Sequence, residues 1–141
     1  MKHEFDRKQF DECDEKARTW AKDLFKKKYQ IDLTDNPDKF GIDLIASRSG
    51  IKVGYVEVDI KRGWGDSFMY THLNVPVRKR KLLTAALKCI LVTFNVVGSQ
   101  CFICKGDVVI NSEVEEVKNR HVPNGELFFK VPVNQIKLVT L

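Results

Sequence analysis

The sequence predicts a single α/β or α+β domain, built as one mixed β-sheet flanked by helices. Residues Arg7–Tyr29 carry apolar side chains at steps of three and four, which is typical of an amphipathic helix. Residues Val53–Lys61 alternate between apolar and charged side chains, which is typical of a strand with one buried face. The predicted elements run in the order helix, strands, helix, strands, and the 141 residues fit one domain.

Turn signals and apolar runs define the other elements. Ile42–Ala46 is predicted to be a strand, and the Ser49-Gly50 turn signal joins it to Val53–Lys61 as a β-hairpin. A polar loop or irregular strand precedes it. Pro76, a residue type favoured in the first turn of helices, predicts a second helix that reaches Leu87. The remaining predicted strands are Ile90–Val97, Cys101–Ile110, Leu127–Val131 and Gln135–Leu141.

The charge balance favours a polyanionic partner. The chain has 24 lysines and arginines against 19 acidic residues, a net charge of +5, which suits nucleic acid. The sequence shows no apolar run long enough to span a membrane, and Met1–Phe10 lacks the apolar centre of a signal peptide. We therefore expect a cytoplasmic protein that does not enter a membrane.

The four cysteines lie in apolar stretches, which favours reduced thiols in the core. Cys101 and Cys104 form a CxxC pair, but the sequence has no second such pair and no histidine nearby to complete a zinc site. The other two cysteines are Cys13 and Cys89.

One face of the predicted strand Val53–Lys61 carries Glu57, Asp59 and Lys61. Asp43 and Asp59 are equidistant from Ile51, so a symmetric hairpin would place them opposite each other. Opposed residues have Cβ atoms about 5 Å apart, where two like charges destabilise a sheet. A divalent cation would offset this repulsion, because carboxylates are the hard ligands that Mg²⁺ prefers. The alternative is an ordinary solvated sheet face.

The segments Gly41-Ile42-Asp43-Leu44 and Asp59-Ile60-Lys61 lie at the ends of two hairpin strands. This arrangement resembles the PD-(D/E)XK nuclease superfamily, which includes restriction endonucleases, Holliday-junction resolvases and repair exonucleases. The resemblance covers roughly residues 7–110 and implies a restriction-endonuclease-like core with the order αβββαβ. It also implies a Mg²⁺-dependent enzyme that hydrolyses phosphodiester bonds in DNA, most simply as an endonuclease.

The resemblance assigns roles to the residues that match the motif. Asp43, Asp59 and the backbone carbonyl of Ile60 would ligate Mg²⁺, for which Mn²⁺ could substitute, and Lys61 would be the catalytic lysine. Glu57 would be either a further ligand or a solvated neighbour. Asp38 follows Pro37, as the proline in the name of the family's motif would require, so Asp38 is an alternative to Asp43 as the first metal ligand.

Many members of the family add an acid from the first helix, and Asp14 is the candidate here. Its position on the helix lies beside the apolar face, where charged side chains are uncommon, so a functional role would explain its presence there. The alternative is an aspartate at the edge of that face that simply reaches water.

Basic and aromatic residues follow the motif. The family places this region near the cleaved strand, so Arg78, Lys79, Arg80 and Lys81, preceded by His72, would contact DNA phosphates. The alternative is a solvated helix face. Trp64, Phe68 and Tyr70 lie in a glycine-containing loop, where they would stack on bases if exposed or belong to the core if packed.

Two further expectations concern assembly and activity. Small members of the family are often homodimers, so the resemblance suggests a homodimer as a possible assembly. The main alternative to an enzyme is a catalytically silent nucleic-acid-binding module on the same fold.

Overall fold

The computed structural model describes residues 7–38, 41–85, 88–119 and 122–141. The long first helix is confirmed at its predicted bounds, and mixed α/β structure with a multi-stranded sheet follows it. Short 3₁₀ turns occur at Val77–Lys79 and Val133–Gln135. The helices and strands are α1 (Arg7–Tyr29), β1 (Asp32–Asp35), β2 (Leu44–Arg48), β3 (Ile51–Ile60), β4 (His72–Pro76), α2 (Arg80–Leu83), β5 (Cys89–Phe94), β6 (Gln100–Lys105), α3 (Gly106–Ile110), β7 (Glu113–Asn119), β8 (Val122–Pro132) and β9 (Lys137–Thr140).

The strands form two sheets. The larger one has six strands in the order β1-β2-β3-β5-β6-β9 and is mixed, as predicted: β3 and β5 are parallel, and every other neighbouring pair is antiparallel. The smaller sheet is antiparallel, in the order β4-β8-β7. The sequence predicted one mixed sheet, so this second sheet corrects that prediction; it forms through the pairing of β8 with β4, a segment distant in the sequence.

The main sheet separates two hydrophobic cores. Ala17 and Ala21 of α1 pack with Val56 and Val58 of β3 on one side. On the other side, the second core draws its members from the main sheet, from β4 and β8 of the smaller sheet, and from α2 and α3. The alternation predicted for β3 explains this layout, because successive side chains of a strand point to opposite faces. Glu57 therefore faces away from α1.

The β2–β3 hairpin turns where predicted but in a different register. Ser49 and Gly50 both have positive φ, which is the backbone of a tight two-residue hairpin turn. Ala46 pairs with Gly54 while Ser47 pairs with Lys52, so one extra residue of β3, Val53, bulges out.

This register corrects one prediction. Leu44 pairs with Val56, so the next position along brings Asp43 beside Glu57 and not opposite Asp59. The symmetric hairpin centred on Ile51 was wrong because the turn is centred between Ser49 and Gly50. This shifts the pairing by three positions, and the bulge at Val53 recovers only one of them.

Two further elements are shorter than predicted. The helix expected from Pro76 to Leu87 is a 3₁₀ turn followed by a single α-helical turn that ends at Leu83, and Leu87 lies outside the described residues. Only Leu83 of α2 is buried, so the segment lacks the apolar face that would stabilise a longer helix.

The predicted strand Cys101–Ile110 ends at Lys105, and α3 takes its last five residues. Cys101 and Cys104 belong to different cores on opposite faces of β6, as the three-residue spacing in a strand requires. Both thiols are buried and unlinked, and burial raises their pKa to about 12. They do not form a joint metal site. The side chain of Cys13 lies outside the described residues.

Within the described ranges, no helix combines the length and apolar character needed to cross a bilayer.

Candidate functional site

An acidic groove forms where β2 stops short of the end of β3. β2 begins at Leu44, whereas β3 continues to Ile60, so the last residues of β3 have no β2 partner. At this open edge a side-chain carboxylate accepts a hydrogen bond where a neighbouring strand would supply a backbone carbonyl: the backbone N–H of Val58 donates to Asp43 Oδ2 at 3.0 Å. The groove has a volume of about 170 Å³ and is lined by Asp14, Ala17, Asp43, Glu57, Val58, Asp59, Ile60, Arg62, Arg78 and Lys79.

Asp43 and Glu57 form a close acidic pair. The backbone N–H of Asp43 donates to Glu57 Oε1 at 3.2 Å, and the two carboxyl groups are near enough to share a proton. Burial, followed by the negative charge of Glu57, raises the pKa of Asp43 to about 7, although the Val58 N–H and the charge of Lys79 oppose the shift. Burial and the neighbouring acid therefore outweigh the groups that favour the ionised form of Asp43.

Lys79 is the most buried of the three cations that line the groove, since Arg62 and Arg78 are exposed. Its Nζ lies 2.7 Å from Glu57 Oε2, and the two side chains are only 14% and 6% exposed. Burial lowers the pKa of Lys79, but the attractions of Glu57, Asp59 and Asp43 outweigh it and raise the pKa above its usual value. We had expected Lys79 to contact DNA phosphates; in the structure it is an internal partner of the acids.

Asp59 lines the groove, whereas Lys61, two residues further along the chain, does not. Asp59 Oδ1 accepts the backbone N–H of Ile60 at 2.8 Å. Lys61 Nζ donates to the backbone carbonyl of Asn74 at 3.4 Å. Burial lowers the pKa of Lys61, partly offset by the charge of Asp59. Lys61 lines a separate, larger cavity together with Asn74, and the effect of Asp59 on its pKa is the link between its ammonium and the acids of the groove.

The donor set suits a divalent cation with few protein ligands. The described residues contain no cluster of three or more acidic, histidine or cysteine side chains arranged around a common metal position. Mg²⁺ needs only one or two carboxylates, since it retains several waters and binds substrate phosphates. Asp43 and Asp59 supply such carboxylates, and the ammonium of Lys79 against Glu57 shows that the groove stabilises positive charge.

The two acids predicted outside the hairpin are placed differently. Asp14 of α1 lines the groove and forms an ion pair with Arg18 at 3.0 Å. Asp38 lines another pocket, beside Lys52 and Tyr55, and does not line the groove. Of the two competing aspartates, Asp43 is therefore the one that lies with Glu57 and Asp59.

The basic segment that follows β4 divides among several environments. Arg78 forms a 2.7 Å ion pair with Glu126, and Arg80 lies over the ring of Phe129 at 5.2 Å. Lys81 is exposed. His72 lines the larger cavity and contacts Thr71 at 2.8 Å through its ring.

Two contributions to the groove were missed by sequence reasoning. Arg62 lines the groove directly after the motif, and its position next to Lys61 was the available signal. The pairing of Lys79 with Glu57 joins residues 22 positions apart, for which the sequence offered no signal.

No family model matches this chain, and no curated protein or solved structure matches it significantly. The description of the fold class and of the groove therefore rests on the structure of this chain alone.

The acidic pair predicts a pH-dependent stability. The pKa of Asp43 is about 7 in the fold against an ordinary 3.8, so its contribution to stability is complete below pH 3.8 and is lost as the pH rises through 7. Asp43→Asn mimics the protonated acid, since its amide can still accept from Val58 and can donate to Glu57. We expect the free energy of unfolding of the variant, relative to that of the wild type, to rise by roughly 2–4 kcal/mol as the pH increases from 4 to 8.

Urea unfolding at several pH values, without divalent metal, measures this gain. The exposed loop residue Asp66 offers a matched control, Asp66→Asn, which should show no comparable trend. A constant difference between Asp43→Asn and the wild type at every pH would contradict the raised pKa.

Proposed function

We propose that this chain is a metal-dependent nuclease that hydrolyses phosphodiester bonds of DNA, most simply as an endonuclease. The observation that carries the proposal is that Asp43, Glu57 and Asp59 line one groove, with Lys61 in the wall of a neighbouring cavity. The resemblance of Asp43 and Asp59-Ile60-Lys61 to the PD-(D/E)XK motif supports the same reading. The groove opens at a strand edge, where an extended phosphate backbone can approach.

Asp43, Asp59 and the Ile60 carbonyl would hold Mg²⁺ or Mn²⁺. When bound, the metal lowers the pKa of a coordinated water and neutralises charge on the phosphate. Lys61 positions the scissile phosphate and stabilises the charge that develops on it. Lys79 holds Glu57 in place at 2.7 Å and limits the repulsion between the acids.

The finer fold assignment belongs to the same proposal. The succession α1, β1, β2, β3, α2 and β5 supports an αβββαβ core, since β3 and β5 are parallel neighbours joined through α2. In this interpretation β4 is an addition to the core, and it pairs with β8 in the smaller sheet.

One observation favours the catalytically silent nucleic-acid-binding module. The buried Lys79 already neutralises Glu57, so the groove could persist as an internal ion-pair network without any metal. This second candidate predicts DNA binding that does not depend on divalent cations, and no cleavage.

The two candidates separate in one assay. We expect supercoiled, linear, single-stranded or branched DNA to be cut with Mg²⁺ or Mn²⁺ and left intact with EDTA. Asp59→Asn is the matched inactive control, because it keeps the size of the side chain but removes a charged ligand. Absence of cleavage on all four substrates with both metals, in a protein that still binds DNA, would favour the silent module.

A further inference from the structure

A second cavity adjoins the acidic groove. It has a volume of about 460 Å³, within the range of small-molecule sites. Its wall combines aromatic rings from the loop after β3 with basic side chains. The members that matter here are Trp64, Phe68, Tyr70, Lys61, His72 and Lys130.

The aromatic side of this cavity is graded from buried to exposed. Trp64 is 1% exposed and packs on Phe102 with ring centroids 5.0 Å apart. Phe68 stacks edge-on against Trp64 at 5.3 Å and against Tyr70 at 5.6 Å. Tyr70, at the outer end of this series, is 68% exposed. The rigid inner rings therefore support an outer ring that is open to a ligand.

The cavity and the groove meet along the same stretch of chain. Ile60 and Arg62 line the acidic groove, while the alternate residues Lys61 and Gly63 line the cavity. Consecutive Cα atoms are about 3.8 Å apart, so both spaces lie within reach of neighbouring nucleotides of one strand. Lys61 supplies a cation that suits a phosphate flanking a base, whereas Lys130 is already paired with Glu115 of the same wall at 2.7 Å.

We propose that the aromatic cavity binds one unpaired nucleobase, stacked on Tyr70, next to the phosphate held at the acidic groove. Every base offers a π-face to an aromatic ring, whereas a base inside a duplex is already stacked and paired. The cavity thus directs the protein to single-stranded or distorted DNA. This inference rests on the proposed function and names its substrate class.

Binding without catalysis tests the proposal. Anisotropy titrations in EDTA would compare a short labelled single strand with its matched duplex. We expect Tyr70→Ala to weaken single-strand binding roughly 5- to 150-fold, the range found for lost base stacking, and to leave duplex binding nearly unchanged. Tyr70→Phe should retain wild-type binding, because the ring remains.

Met69→Ala is the matched control, since Met69 is 84% exposed and does not line the cavity. It should bind both DNAs as the wild type does. The proposal is overturned if the Tyr70→Ala variant binds single strands as tightly as the wild type does. It is also overturned if this variant loses single-strand and duplex binding equally. A wild-type protein that does not bind single strands overturns it as well.

These outcomes are distinct from failure of the nuclease assignment. A protein that binds single strands through Tyr70 but cuts no DNA with Mg²⁺ or Mn²⁺ would retain the base site and lose the assignment. A protein that cuts DNA but binds single strands equally well without the Tyr70 ring would show the reverse.

Discussion

Replacing Lys61 with alanine should abolish most cleavage, leave metal binding in place and weaken DNA binding by no more than one lost phosphate contact. Its side chain lines the larger cavity directly after the end of β3, and the charge of Asp59, two residues earlier, acts on its ammonium. An ammonium cannot ligate a cation, so its loss removes no metal ligand. We expect a loss on the order of 10²-fold or more, by analogy with the removal of other positioned charge-stabilising groups.

Single-turnover cleavage at saturating protein measures the chemical step, since weaker binding then cannot imitate a catalytic defect. Lys27→Ala provides the control, because Lys27 is a 76% exposed lysine on α1 with the same change of charge. Wild-type cleavage by Lys61→Ala under these conditions would remove the main support for a nuclease site on this strand.

Replacing Lys79 with methionine should destabilise the metal-free protein by about 3–5 kcal/mol, the usual cost of stripping one partner from a buried ion pair. Glu57 is 6% exposed, so the variant leaves its charge buried beside Asp43 without the ammonium. Mg²⁺ or Mn²⁺ should recover part of this loss if the groove accepts a divalent cation, because binding to the folded state alone raises its stability.

Urea unfolding with and without metal gives both quantities. Arg78→Met is a closely matched control: its ion pair with Glu126 has the same 2.7 Å distance, but Arg78 is 72% exposed. Exposed pairs contribute about 0–1 kcal/mol, so that variant should stay near the wild type. The double variant Lys79→Met/Glu57→Gln should regain most of the stability lost. An equal loss in the Lys79 and Arg78 variants would show that the burial of the first pair has no energetic consequence.

The sequence predicted correctly those elements that depend on interactions between residues close together in the chain. The 3.6-residue repeat of α1 and the two-residue alternation of β3 gave the helix at its correct bounds and the correct faces of Val56 and Glu57. The Ser49-Gly50 turn was likewise readable, because few residue types tolerate positive φ.

The rest depended on contacts between distant segments. The pairing of β4 with β8 joins residues that lie between 52 positions apart, for Pro76 with Phe128, and 60 positions apart, for His72 with Pro132. It forms a sheet that no local pattern indicated. Lys79 looked like a solvent-facing member of a basic run, yet its short 3₁₀ turn directs it into the acidic groove. Asp43 was correctly grouped with Asp59, but its immediate neighbour is Glu57.

The bulge at Val53 has a consequence for how this hairpin can vary in length. A two-residue turn alone pairs Arg48 with Ile51 and, carried on without interruption, would set Asp43 against Val56. An acid and a core valine would then share a face, which burial against α1 forbids. The unpaired Val53 shifts the pairing by one residue, so that Asp43 lies beside Glu57 and the two acids share a face of the sheet. Chains that share this site are therefore free to change the exposed residues of the hairpin, but an odd change in its length requires a compensating bulge or a different turn.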